Sequence, residues 1–108
     1  MTKIYISIPI AGRENDVFKR VAKVENELQN MGYETYNPLE GNGQNKDNIG
    51  THLEPDNVAL FLGNDIYQLM KCDGIYMCEG WHNSKGCQLE LKCAQLYGKK
   101  IMYELWMV

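Results

Sequence analysis

Hydrophobic and polar positions change period several times along this 108-residue chain. Lys3–Ile8 (K-I-Y-I-S-I) is β-branched and aromatic, and it predicts a first strand. Pro9 ends that strand. Gly12, in the P-I-A-G-R turn that follows, permits a positive φ or a close backbone approach to a ligand. The period then lengthens: Val17, Phe18, Val21, Val24 and Leu28 recur at helical spacing, with Asn15 as a cap and Gly32 as a stop. Tyr33–Tyr36 predicts a short second strand, closed by Asn37-Pro38. Leu39–Asp56 has no sustained period and is rich in Gly and Asn, which predicts a lid or binding loop. Asn57–Lys71 is helical again, with Val58, Phe61, Leu62, Ile66 and Leu69 as an imperfect apolar face. Gly74–Cys78 predicts a third strand and Lys100–Glu104 a fourth. Between these two lies a helix that opens near Ser84 and stops near Gly98.

Strands alternating with helices predict an α/β fold: a flavodoxin- or Rossmann-like three-layer sandwich, 1–108 as one domain. The sheet is expected to be parallel, with four or five strands. Right-handed crossovers give the order 2-1-3-4. In such sheets the site lies beyond the carboxyl ends of the strands, where the order switches. The loops that meet at this switch are Pro9–Arg13 and Glu79–Ser84.

The last helix carries the first candidate chemistry. At ~100° per residue, Lys85, Gln88, Lys92, Gln95 and Lys99 share one side. Cys87, Leu91, Cys93, Ala94 and Tyr97 share the other, and Glu90 falls among them as the one charged residue on the face expected to be buried. An unpaired buried carboxylate costs several kcal/mol, so it shifts its pKa or finds a partner. Glu90 therefore either sits at the edge of the apolar face, reaching solvent or a lysine, or faces a cleft and does chemistry there. Asp65 stands one turn from both Phe61 and Leu69 and poses the same choice. The N-S-K-G run before the helix offers free N–H groups, the Ser84 hydroxyl and a helix dipole, which suits either a cap or an anion. Arg13 offers a bidentate contact to a phosphate. Trp81, after the third strand, either stacks on a base or packs on its own loop or a partner. Tyr5 and Ser7 read as core or strand-end residues.

Composition narrows the function classes. Hydrophobic residues make up 44%, charged residues 23%, and the net charge is −3, the mix of a globular domain. There is no basic stripe for a nucleic-acid duplex. No signal peptide and no membrane-length apolar run is present, so a cytoplasmic location is expected. The four cysteines form no C-x-x-C pair and the two histidines lack finger spacing, so reduced thiols are expected rather than a metal. Neither glycine-rich nucleotide fingerprint occurs, which disfavours dinucleotide redox enzymes and P-loop hydrolases; no cofactor is expected.

Three stretches carry a resemblance. They are A-G-R-E (Ala11–Glu14) after the first strand, Asp65 placed eight residues before Asp73, and Ser84-Lys85-Gly86 ahead of Glu90 on a helix leading to G-K-K-I. Together they resemble the nucleoside 2-deoxyribosyltransferase superfamily, and within it the 2′-deoxynucleoside 5′-monophosphate N-glycosidases. The resemblance implies Glu90 as catalytic glutamate and Asp65 as an aspartate at the sugar and base. It implies Gly12, Arg13, Ser84 and Gly86 around the substrate phosphate, since a serine at position 84 matches the monophosphate hydrolases and an aspartate would repel a phosphate. It also implies a homodimer acting on a small nucleotide or nucleoside. The alternatives are a nucleotide-binding module of the same fold without turnover, and an NAD-cleaving relative. The Leu39–Asp56 stretch matches nothing in the superfamily pattern.

Overall fold

The computed structural model describes residues 1–105. Its elements run β1 (Lys3–Ser7), α1 (Val17–Asn30), β2 (Glu34–Tyr36), α2 (Pro38–Gly41), α3 (Pro55–Lys71), β3 (Gly74–Met77), α4 (Lys85–Leu96) and β4 (Lys100–Tyr103). The sheet has four strands in the order β2-β1-β3-β4, and every neighbouring pair is parallel. The expected order holds, with four strands among the described residues.

The alternation of β1 divides the core in two. Ile4, Ile6 and Ile8 pack with Val17, Val21, Val24 and Leu28 of α1 on one face of the sheet. Tyr5 faces the other way, where Ile75 and Met77 of β3 meet Leu69 of α3 and Cys87, Leu91 and Ala94 of α4. Strand side chains alternate faces and helical ones recur each turn, so one short strand serves both layers. Burying each of the larger side chains is worth roughly 1.5–3 kcal/mol.

Three local expectations change. The N-cap of α1 is Asp16 rather than Asn15, and it makes no side-chain cap hydrogen bond. The helix predicted from Asn57 starts at Pro55, the residue type favoured in a first helical turn. The Leu39–Asp56 stretch is not structureless. Asn37 caps the short α2 through Leu39 N–H at 3.0 Å, and a single 3-10 turn covers Ile49–Thr51. Leu39 and Ile49 are buried in the α1-side core, which pins the segment at two points. Periodicity could not reveal this, because two isolated anchors have no period.

Candidate functional site

Glu90 sits at the meeting point of β1 and α4. It is 5% exposed. Tyr5 Oη donates to Glu90 Oε2 at 2.7 Å, and Ser7 Oγ donates to Oε1 at 2.6 Å. Tyr5 and Ser7 are two apart on β1, so they point to the same face and hold the two carboxyl oxygens separately. Among the described residues the ion pairs are Lys23–Glu27 and His52–Glu14, and neither involves Glu90. The carboxyl is thus held by hydrogen bonds with no cation beside it. Burial pushes its pKa up to about 8, the two hydroxyl donors pull it back, and Asp65 raises it further.

Asp65 enters from α3, one turn before Leu69. Asn42 Nδ2 donates to Asp65 Oδ1 at 2.8 Å, and Asn64 Nδ2 donates to Asn42 Oδ1 at 2.7 Å. Burial raises the Asp65 pKa to about 6, opposed by the Asn42 hydrogen bond and by the nearby Tyr5 hydroxyl, whose own hydrogen goes to Glu90. The Tyr5 hydroxyl thus lies between two carboxyls. Burial raises its own pKa well above the usual value, with Glu90 and then Asp65 adding to the shift. Both carboxyls are thus pushed toward the protonated form, chiefly by burial.

Both carboxyls line a cavity of about 470 Å³. Ile8, Ile10, Leu53, Val58, Phe61 and Leu62 give it apolar walls. Ser84, Lys85 and Gly86 bring the first turn of α4 to it. Ser84 Oγ accepts from Cys87 N–H at 3.3 Å, so it caps the helix while its own hydrogen remains available. The first intrahelical bond runs from Gln88 N–H to Ser84 O, which leaves the Lys85 and Gly86 amides ahead of it. Cys87 also lines the cavity, but burial and then Glu90 push its thiol up to about 11, so it is no ready nucleophile. All four cysteines are free, and among the described residues no His, Cys, Asp and Glu side chains cluster as a metal site.

The cavity brings together Glu90, Asp65, Ser84 and Gly86 of the residues singled out in the sequence. Gly12 (φ 78°) makes the turn beside Ala11, a lining residue, without lining the cavity itself. Arg13 lines a second cavity of about 260 Å³ on the α1 side, with Arg20, Lys23 and Glu104. Gly80, at φ 87°, gives it room: a Cβ there would lie 3.3 Å from Arg13 Nη1. Trp81 packs on the α3–α4 side of the core and stands 5.8 Å, centroid to centroid, from Tyr103. The sequence offered Tyr5 and Ser7 only as core or strand-end residues, and it gave Asn42, Gln44 and His52 no place at the site. A signal existed for the first two: a hydroxyl at each of two same-face positions of a buried strand requires a partner on the covering helix.

An α/β domain with a carboxylate pair in a cleft at the sheet's switch point is the class that the fold and the cavity define. A solved 2-deoxyribosyltransferase from the psychrotolerant bacterium Bacillus psychrosaccharolyticus, described as a biocatalyst for synthesis of antiviral and antitumoral nucleosides, shares this fold. The TM-score is 0.68 at 20% identity, over 98% of this chain and 77% of that one. The chain belongs to the DUF4406 family, a domain of unknown function, whose pattern matches residues 2–103. No curated protein matches it by sequence.

Proposed function

We propose that this protein cleaves or transfers the N-glycosidic bond of a 2′-deoxynucleoside 5′-monophosphate, with Glu90 as nucleophile. The observation that carries this reading is a buried carboxyl, held by Tyr5 and Ser7 at a cavity wall, with no cation to neutralise it. A purely structural carboxyl gains nothing from facing a ligand-sized cavity; a nucleophile needs that access.

In the first step a Glu90 oxygen forms a bond to C1′ as the C1′–N bond breaks, and the electron pair leaves with the base. Asp65 binds the sugar or delivers a proton to the departing base. Water, or a second base, then attacks C1′ and releases Glu90. Ser84, Gly86 and the first amides of α4 hold the 5′-phosphate and so place C1′ near Glu90. Gly12 and Arg13 complete that phosphate site in the liganded protein, with Arg13 rotating away from Gly80. The protein acts as a cytoplasmic homodimer. The required charge state of Glu90 makes kcat/KM rise with pH, reach half its maximum near pH 8 and level off above it.

The test is release of free base from deoxynucleoside monophosphates, deoxynucleosides, ribonucleotides and NAD by wild type and Glu90→Ala. Release from the deoxynucleoside monophosphates by wild type alone supports the reading. Release confined to unphosphorylated deoxynucleosides overturns the phosphate site, and release from NAD alone moves the protein to another reaction.

The raised pKa of Glu90 also fits a second reading, a nucleotide-binding module in which a protonated Glu90 ties α4 to β1. Ligand binding by wild type without any base release is the outcome that favours it.

A further inference from the structure

Asp65 lines the cavity, and Asn42, which holds it, does not. The amide of Asn42 is gripped at both ends by consecutive residues of α3. Its oxygen accepts from Asn64 Nδ2 at 2.7 Å, and its nitrogen donates to Asp65 Oδ1 at 2.8 Å. In an amide only the oxygen accepts and only the nitrogen donates. Asn64 takes the oxygen, so the nitrogen is left for Asp65 and the amide is locked against turning over.

The backbone that carries Asn42 is fixed as well. Asn42 closes α2 directly after Gly41. A Cβ at Gly41 would overlap the Tyr36 hydroxyl, so only glycine lets the last turn of α2 settle on that ring. Tyr36 stacks on Tyr5, with ring centroids 5.6 Å apart and planes 17° from parallel. Tyr5 in turn donates to Glu90 Oε2. Asn42 and the Glu90 carboxyl therefore share one support, and through it Asp65 is set relative to Glu90. Misplacing a group at a reacting centre by about 1 Å can cost about a hundredfold in rate.

We propose that Asn42, locked by Asn64, is a positioning residue: it occupies Asp65 Oδ1 and keeps the rest of that carboxyl turned to the substrate. Asn42 itself touches no substrate atom. The proposal rests on the glycosidic reading above, which gives Asp65 its partner.

The test is a double-mutant cycle on base release from the deoxynucleoside monophosphate that wild type turns over fastest, with Asp65→Asn as the second change. Asn42→Ala lowers kcat/KM about tenfold or more in the wild-type background. It lowers it by less than about twofold when Asp65 is already replaced, because its whole effect passes through that carboxyl. The asparagine of Asp65→Asn still accepts from Asn42, so a mere tie between α2 and α3 survives in that background. Equal losses in both backgrounds overturn the proposal.

A second measurement needs no substrate. Asn42 donates to the carboxyl and so favours its ionised form. Asn42→Ala therefore makes Asp65 titrate about one pH unit higher, read by carboxyl NMR. Asn42→Asp, of nearly the same shape, still accepts from Asn64 but faces Asp65 with a second carboxylate, and moves the titration further in the same direction. An Asp65 titration that is unchanged in both variants overturns the proposal. The two measurements separate the two ideas. A shifted titration with no base release by wild type defeats the glycosidic reading alone, whereas base release with equal losses in both backgrounds defeats the proposal alone.

Discussion

The cavity over Glu90 and the smaller one beside Arg13 both use Ile8 as a wall, the first on the α3 and α4 side of the sheet, the second on the α1 side. They handle charge differently. The second is lined by three basic and three acidic side chains, two of them tied to backbone: Arg20 Nη2 donates to Glu79 O at 3.0 Å, and Glu79 N–H donates to Glu104 Oε1 at 2.8 Å. Opposite charges there share one space. The first holds two carboxyls among apolar walls with hydroxyl and amide donors for company, and both are pushed toward the protonated form. Charge kept away from water and from counter-charge is the arrangement that perturbs pKa values, and perturbed carboxyls in a cleft mark candidate chemistry.

The sharpest test of that difference is to remove one carboxylate from each cavity. Glu90→Ala should lower base release by on the order of a thousandfold or more, as loss of a nucleophile does. Glu104→Ala should change it less than about threefold. Comparable losses from both would mean that the two cavities act as one site, and the contrast drawn between them would fail.

Next in size are the hydroxyls that hold Glu90. Tyr5→Phe and Ser7→Ala each remove a hydrogen bond to a carboxylate, worth about 1.5–3 kcal/mol, so base release should drop about ten- to a hundredfold. Both hydroxyls favour the ionised carboxyl. Their removal should therefore move the acid limb of kcat/KM above its wild-type position near pH 8. A rate loss without movement of that limb would reassign the hydroxyls to packing.

Glu90 was legible in the sequence, since a single charge on the apolar face of α4 must be explained by a partner or by chemistry. Its partners were harder to see. Tyr5 and Ser7 lie more than eighty residues away in sequence, and only the parallel register of β1 beside β3, with α4 packed across both, makes them neighbours. The sheet order followed from alternating elements and handedness, which are local rules. Arg13 shows the limit of such rules. The turn could be placed at the switch point from sequence, but the direction of a long side chain leaving it depends on Gly80, an open site from another loop. His52 was hidden for a further reason: the segment that carries it is anchored by Leu39 and Ile49 alone, too sparse a pattern to read.

Stability against pH gives a third test, independent of any substrate. The folded-state pKa values of Glu90 and Asp65 lie above their ordinary values of 4.5 and 3.8. Their contribution to stability is fully present below those ordinary values and is lost as pH rises through about 6 for Asp65 and about 8 for Glu90. Glu90→Gln cannot ionise and escapes the larger loss. Its stability relative to wild type, from urea denaturation, should improve by about 2 kcal/mol or more between pH 5 and pH 9. A pH-independent difference would show that Glu90 is ionised throughout, with more solvent around it than its burial indicates.

The smallest expected effect concerns Arg13, the residue that tests whether the two cavities cooperate. If its guanidinium swings from Gly80 to a bound 5′-phosphate, Arg13→Ala should raise KM for a deoxynucleoside monophosphate by about tenfold, the lower end of what a charged hydrogen bond contributes. Turnover of the unphosphorylated deoxynucleoside should stay unchanged, since it offers nothing for the arginine to hold. An equal KM for wild type and Arg13→Ala on the phosphorylated substrate would leave Arg13 in the α1-side cavity. The phosphate would then depend on Ser84, Gly86 and the first turn of α4, and Ser84→Ala should cost more than the loss of Arg13.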